Sequence, residues 1–326
     1  MVPKNISKTD GTVRYRISHV TSYQYSDPVP VSHNELHLTP RDSRRQQVRS
    51  HRLEVKPKPV VLARRLDYFG NHVHYFSQSE GHRRLRIASH SHVTVRATPL
   101  PALDSSDPWE LVARSARGEL VPSRLEALQY VFNSPSITSS AALREFAEVS
   151  FPVERPILEG MKDLCHRIFS EFTYDGNATS VHSSAEEVLT LRRGVCQDYA
   201  QLMIGGLRSL GLPARYVSGY LRTYPPPGRP RLIGADATHA WVSVFCNDLG
   251  WVDIDPTNDV FPNLEHVTIA WGRDYGDVCP VKGVFLGGGA HQMTVSVDVA
   301  PLDEGKNGSA VGASEPAVDS EREDDE

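Results

Sequence analysis

The sequence predicts an α+β protein: an all-β N-terminal part, then a part in which helices come before strands. Two patterns carry that reading. Between residues 12 and 98, apolar and polar residues alternate with period two, as in Leu36-His37-Leu38 and Leu53-Glu54-Val55, which suits strands with one buried face. From residue 99 the period lengthens to that of a helix, and strand-like segments return only after Leu210, without the strand–helix–strand repeats of a parallel sheet.

Taken in order, residues 1–11 are a polar tail and residues 12–98 the β-rich domain, with turns expected at Ser26-Asp27-Pro28 and Phe69-Gly70-Asn71. Residues 99–153 are a helical connector. Asp107-Pro108 has N-cap and first-turn chemistry, and Ser140 precedes Ala142, Leu143, Phe146 and Ala147 at helical spacing. Residues 154–302 form the second domain. There Pro156 opens a helix with Ile157, Met161, Leu164, Cys165, Ile168 and Phe169 on one face, and Ser184 with Glu187 makes a capping box. A more apolar helix from Asp198 to Leu210 is ended by Gly211 and Pro213, and 214–221, 239–246, 250–254 and 293–299 read as strands. Residues 303–326 are an acidic disordered tail, with nine acids against two bases.

That tail accounts for the formal net charge of -5 over 326 residues, so the folded body is near neutral. Such a body gives no reason to expect nucleic acid or an anionic membrane as partner. The polar start and the lack of a long apolar run point to a cytoplasmic protein. Cys165, Cys196, Cys246 and Cys279 are widely spaced and form no CxxC pair, so reduced thiols are expected rather than disulfides or a zinc knuckle. No DxDxDG calcium loop is present, and no metal or cofactor is expected.

Three short stretches carry chemistry. Gly194-Val195-Cys196-Gln197-Asp198-Tyr199-Ala200 opens the apolar helix, Thr238-His239-Ala240-Trp241 begins one strand, and Trp251-Val252-Asp253-Ile254-Asp255-Pro256-Thr257 forms the next. A thiol becomes a nucleophile when a base takes its proton and a third group holds that base. Cys196 at a helix start meets unpaired N–H groups and the positive end of the helix dipole, which favour a thiolate. Taken alone, such a cysteine is ordinarily a small buried hydrophobe, and a lone strand histidine is ordinarily structural. His239 and Trp241 share one strand face, while Ala240, Val242, Val244 and Cys246 share the face read as core. The turn at Asn247-Asp248-Leu249-Gly250 then returns Trp251–Asp255 antiparallel beside His239.

In this order and at these distances, the three motifs resemble the transglutaminase-like superfamily, whose core is similar to that of papain-type thiol proteases. Tyr15 to Arg96 resembles the β-rich N-terminal domain of its bacterial members, and Trp271-Gly272-Arg273-Asp274-Tyr275 resembles their C-terminal signature. The resemblance implies Cys196 as nucleophile, His239 as general base and later acid, and Asp255 as the residue that orients the imidazole. Asp253 is the rival carboxylate, but the family motif sets its acid directly before Pro-Thr. The Cys196 backbone N–H is a natural oxyanion donor, with Gln197 and Trp241 as candidates for a second. The implied reaction is acyl chemistry through a thioester on a peptide or small amide. Water as acceptor makes a cysteine peptidase or amidase, and an amine makes a transglutaminase-type acyltransferase. A catalytically idle scaffold with a β-domain binding module is the alternative of another class.

Other features are weaker. Tyr224-Pro225-Pro226-Pro227-Gly228-Arg229-Pro230-Arg231 is a stiff basic loop that is either a cleft wall or plain solvent loop. His72 with His74, and His90 with His92, have zinc-compatible strand spacing but no accompanying carboxylate or cysteine.

Overall fold

The computed structural model describes residues 11–118, 122–224 and 236–302. The expected tail at 303–326 and the loop residues 225–231 lie outside the described residues. The chain opens with six strands: β1 (Thr12–Val29), β2 (Val31–Leu36), β3 (Gln46–Lys56), β4 (Val61–Leu66), β5 (His72–Gln78) and β6 (His82–Arg96). The connector holds α1 (Trp109–Ala116), α2 (Pro122–Leu128) and α3 (Ala141–Glu148). Next come α4 (Ile157–Glu171), β7 (Thr173–Tyr174), α5 (Ala185–Leu191), β8 (Arg193–Gly194) and α6 (Cys196–Ser209). The remaining elements are β9 (Ala214–Leu221), β10 (Ala237–Phe245), β11 (Trp251–Ile254), β12 (His266–Gly272), α7 (Tyr275–Val278), β13 (Val281–Leu286) and β14 (His291–Pro301).

Two four-stranded sheets, ordered β14-β1-β6-β3 and β13-β2-β5-β4, form the β-rich part. Tyr25, Val55, Leu85 and Ile87 of the first sheet meet Leu36 and Phe76 of the second in a small apolar cluster. The expected core at 154–302 differs here. Its last two strands return to the N-terminal sheets, β13 beside β2 and β14 beside β1 from Tyr15↔Pro301 to Tyr25↔His291. Alternation marks a segment as a strand without naming its partner, which is set by the edges left open elsewhere. One such edge also overrides the turn expected at Ser26-Asp27-Pro28. β1 continues through it with a register break after Gln24, and Ser26 N–H and Asp27 N–H donate to Ala290 O and Gly288 O.

The second part packs α6 on a sheet ordered β11-β10-β9-β12. Ala200, Leu202, Met203, Ile204 and Leu207 of α6 are buried, as are Ala240, Val242 and Val244 of β10. Tyr15, Ile17, Val93, Val95, Val297 and Val299 of the first β sheet join this same core, so the two parts are held by one continuous apolar cluster. The caps follow the sequence in two places. Ser140 Oγ accepts the Leu143 N–H at 3.3 Å, and the Ser184–Glu187 capping box is complete. Asp107 departs from expectation. Helix α1 has no side-chain cap, and the Asp107 carboxylate instead accepts Asn247 Nδ2 at 2.7 Å.

Candidate active site

Helix α6 begins at Cys196, after Val195 in an extended conformation. Val195 has no side chain that could cap the helix, and the work falls to Asp198 one turn in. Its Oδ2 accepts the Val195 N–H at 2.8 Å and the Thr179 hydroxyl at 2.6 Å. Gly194 makes room for this bond. A Cβ there would stand 2.7 Å from Asp198 Oδ2 and 2.8 Å from Asp198 Cβ. Gly194 also pairs in parallel with Tyr174, and Asp175 N–H donates to Gly194 O at 2.9 Å. The half-exposed Cys196 is thereby presented at a helix start on a braced turn. Nearby, the Tyr174 phenol has its pKa raised by burial and by the neighbouring Cys196 and Asp198.

His239 lies on β10 opposite Gly219 of β9. Its Nε2 is 2.7 Å from Asp255 Oδ2, with His239 8% exposed and Asp255 fully buried. Burial opposes the imidazolium, but the hydrogen bond with Asp255, the charge of that carboxylate and the nearby Cys196 sulfur outweigh it and push the pKa up to about 10. Burial likewise opposes the Asp255 carboxylate, yet its bonds with His239 and His266 hold it well below the usual carboxylate range. With Nε2 engaged by Asp255, Nδ1 is the ring nitrogen left free for Cys196. His239 thus lies between Asp255 and the neighbourhood of Cys196.

Asp253 goes elsewhere. It pairs with Arg45 of the β-rich part at 3.8 Å. Gln197 and Trp241 were the candidates for a second oxyanion donor. Gln197 Nε2 donates to Val181 O at 3.3 Å. The Trp241 ring is fully buried, stacks on His239 at 6.1 Å, and has an Nε1 with no hydrogen-bond partner. The face of β10 that carries His239 and Trp241 is therefore covered like its opposite face. Gly219 is the reason the indole fits, because a Cβ there would meet Trp241 Cη2 at 2.4 Å and Val267 O at 2.2 Å.

Sequence reasoning passed over three partners of Asp255. Oδ2 also accepts Asn258 Nδ2 at 2.7 Å and faces His266 Nε2 at 3.0 Å, and Oδ1 accepts the Thr257 N–H at 2.9 Å. Asn258 was legible as a short amide following Pro256-Thr257 in a turn. His266 had no such signal, being one histidine at the start of an apolar strand. Among the described residues, His239, Asp255 and His266 are the one group whose ligand atoms, all within 4.8 Å, could share a cation. The Nε2–Oδ2 distances are nevertheless those of hydrogen bonds, and a cation would need the lone pairs these bonds use. The paired strand histidines have other company: His72 lies beside Arg64 and His92 beside Ser50.

Fold and site together define the papain-like class of thiol-dependent α+β enzymes. The bacterial transglutaminase-like N-terminal region matches residues 15–94, and the transglutaminase-like superfamily core matches residues 147–256. An uncharacterized protein of Mycobacterium tuberculosis, Rv2569c, is 43% identical over 304 residues, spanning 90% of this chain and 94% of the relative. The chain belongs to the transglutaminase-like superfamily. A protein-glutamine gamma-glutamyltransferase of Pseudomonas aeruginosa is 35% identical over 92 residues, 28% of this chain and 14% of that protein. A solved structure of a proposed cysteine protease from Cytophaga hutchinsonii shares the fold, with a TM-score of 0.69, 20% identity, and coverage of 90% of this chain and 91% of that one.

Proposed function

We propose that the protein cleaves amide bonds by thiol acyl chemistry, with Cys196 as nucleophile, His239 as general acid and base, and Asp255 as the residue that orients the imidazole. The observation that carries this reading is the His239 ring, held by Asp255 at 2.7 Å on one nitrogen, its protonated form favoured by Asp255 and the nearby Cys196. The Cys196 thiolate attacks the carbonyl carbon, and the oxyanion forms at the helix start, where the Cys196 N–H donates to it. The His239 imidazolium gives its proton to the leaving amine as the C–N bond breaks, leaving a thioester. Neutral His239 then takes a proton from the acceptor, and the thiol is released when the new bond forms.

Water as acceptor makes the protein a cysteine peptidase or amidase. A second reading, acyl transfer to a primary amine, is favoured by the 92-residue similarity to the protein-glutamine gamma-glutamyltransferase. His239 would activate either acceptor. A mass-spectrometric screen of glutaminyl and other amide substrates, with and without a primary amine, tests the reading. Release of ammonia or amine with acid as product supports hydrolysis, and a new amide supports transfer. Turnover that survives Cys196→Ala would contradict both.

A further inference from the structure

We propose that His266 is a positioning residue for the thiol chemistry, acting through Asp255: it donates its Nε2–H to the carboxylate oxygen that also receives His239, and so fixes that oxygen in place. The proposal rests on the Cys196–His239–Asp255 reading. His266 Nε2 stands 3.0 Å from Asp255 Oδ2, and both residues are buried, at 3% and 0% exposure. A buried carboxylate oxygen needs a donor at that distance, so the His266 ring carries a proton on Nε2. This agrees with His266 Nδ1, which is buried without a hydrogen-bond partner.

The ring has little freedom to leave. It meets the Trp241 indole edge-on at 5.2 Å, and Trp241 stacks in turn on His239. Its backbone is gripped from the β-rich part. Arg45 Nη2 donates to His266 O at 3.0 Å, and the Gln46 amide binds both Thr268 O, at 2.7 Å, and Thr268 N–H, at 2.8 Å. The N-terminal domain, which supplies no nucleophile, therefore reaches the site by holding the strand that begins at His266.

Asp255 is faced by His239 from β10, by His266 from β12, by Thr257 and Asn258 from the following turn, and by the Cys165 thiol of α4 at its backbone carbonyl. Of the neighbouring acids along the chain, Asp253 is paired with Arg45 and Asp259 is turned to Lys162 and His166. Loss of the His266 donor leaves more of the Asp255 charge on the imidazolium. The imidazolium then supports the Cys196 thiolate less, and thiolate formation moves to higher pH.

The test is the pH dependence of Cys196 alkylation by iodoacetamide in the full-length protein, followed by peptide mapping. It needs no knowledge of the substrate. His266→Phe keeps a ring without the donor and should raise the acid limb of the profile by roughly one pH unit, while His266→Gln, which restores an N–H at the Nε2 position, should return it to the wild-type position. Should the Phe variant not fold by circular dichroism, His266→Asn, with an amide too short to reach, takes its place. An unshifted acid limb in the donor-less variant, or the same shift in the Gln variant, would overturn the proposal. A wild-type profile that rises only near an ordinary thiol pKa of about 8.5 would instead remove the reading on which it rests.

Discussion

The Asp198 carboxylate accepts the Val195 N–H at 2.8 Å, and through that bond it holds the turn from which Cys196 emerges. A valine in the N-cap position brings no acceptor of its own, so the bond answers one of the free N–H groups of the helix start. Gly194→Ala would push a methyl group onto Asp198, and Asp198→Ala would remove the acceptor. Each should lower stability by about 1–3 kcal/mol and slow alkylation of Cys196. Urea melts and alkylation rates measured on the same samples check both effects. Wild-type values in both variants would show that the turn is not held this way.

Asp255 and Asp253 are two residues apart, yet they serve different parts of the molecule. Asp255 holds His239, whereas Asp253 pairs with Arg45. Asp255→Asn should slow acylation by about three to four orders of magnitude with the fold intact by circular dichroism, since an amide misorients the imidazole and does not stabilise its charged form. Asp253→Asn should change the rate less than about tenfold, as expected of a partly exposed ion pair. Equal losses in the two variants would refute the distinction.

Both the β-rich half and the acyl-chemistry motifs were legible in the sequence, because alternation and the Gly-x-Cys, His-x-Trp and Asp-Pro-Thr patterns are local. What remained hidden depends on contacts far apart in the chain. His266 meets Asp255 only because β12 pairs with β9 and β9 with β10, and β14 lies beside β1 only because that edge was open. Asp198 was readable as a first-turn acid, but its burial and its bond to Thr179 come from the packing of the 175–183 segment against the helix start. Trp241 was read on the face opposite the core, and it is fully buried there beside His239, His266 and Gly219.

Gly219 is a packing requirement of the same site. The methyl group of Gly219→Ala would lie against the Trp241 ring and the Val267 carbonyl and so displace the surface on which His239 rests. Overpacking of this kind costs about 1–3 kcal/mol or more. The variant should melt earlier and lose acylation rate, and Trp241→Phe in the same chain should recover part of the stability by freeing space. Calorimetry of the single and double variants measures the coupling.

The charge state of the site sets a pH window for stability. The His239 pKa is raised from 6.5 to about 10, so its contribution is fully present below the unfolded value and fades as the pH climbs through about 10. Asp255 is lowered from 3.8, so its contribution is present above that value and is lost as the pH falls through its folded pKa. Urea denaturation across this range should show stability declining between about pH 6.5 and 10, and His239→Gln should flatten that decline. An unchanged slope in the variant would contradict the raised pKa.

The central claim is that a thioester forms on Cys196. Rapid-quench intact-mass spectrometry with an amide donor, followed by peptide mapping, measures it directly. The expected result is an adduct on Cys196 with the mass of the donor less its leaving amine, present in wild type, strongly reduced in His239→Ala and absent in Cys196→Ala. An acyl group found on Cys165, Cys246 or Cys279, or donor turnover that continues in Cys196→Ala, would contradict it.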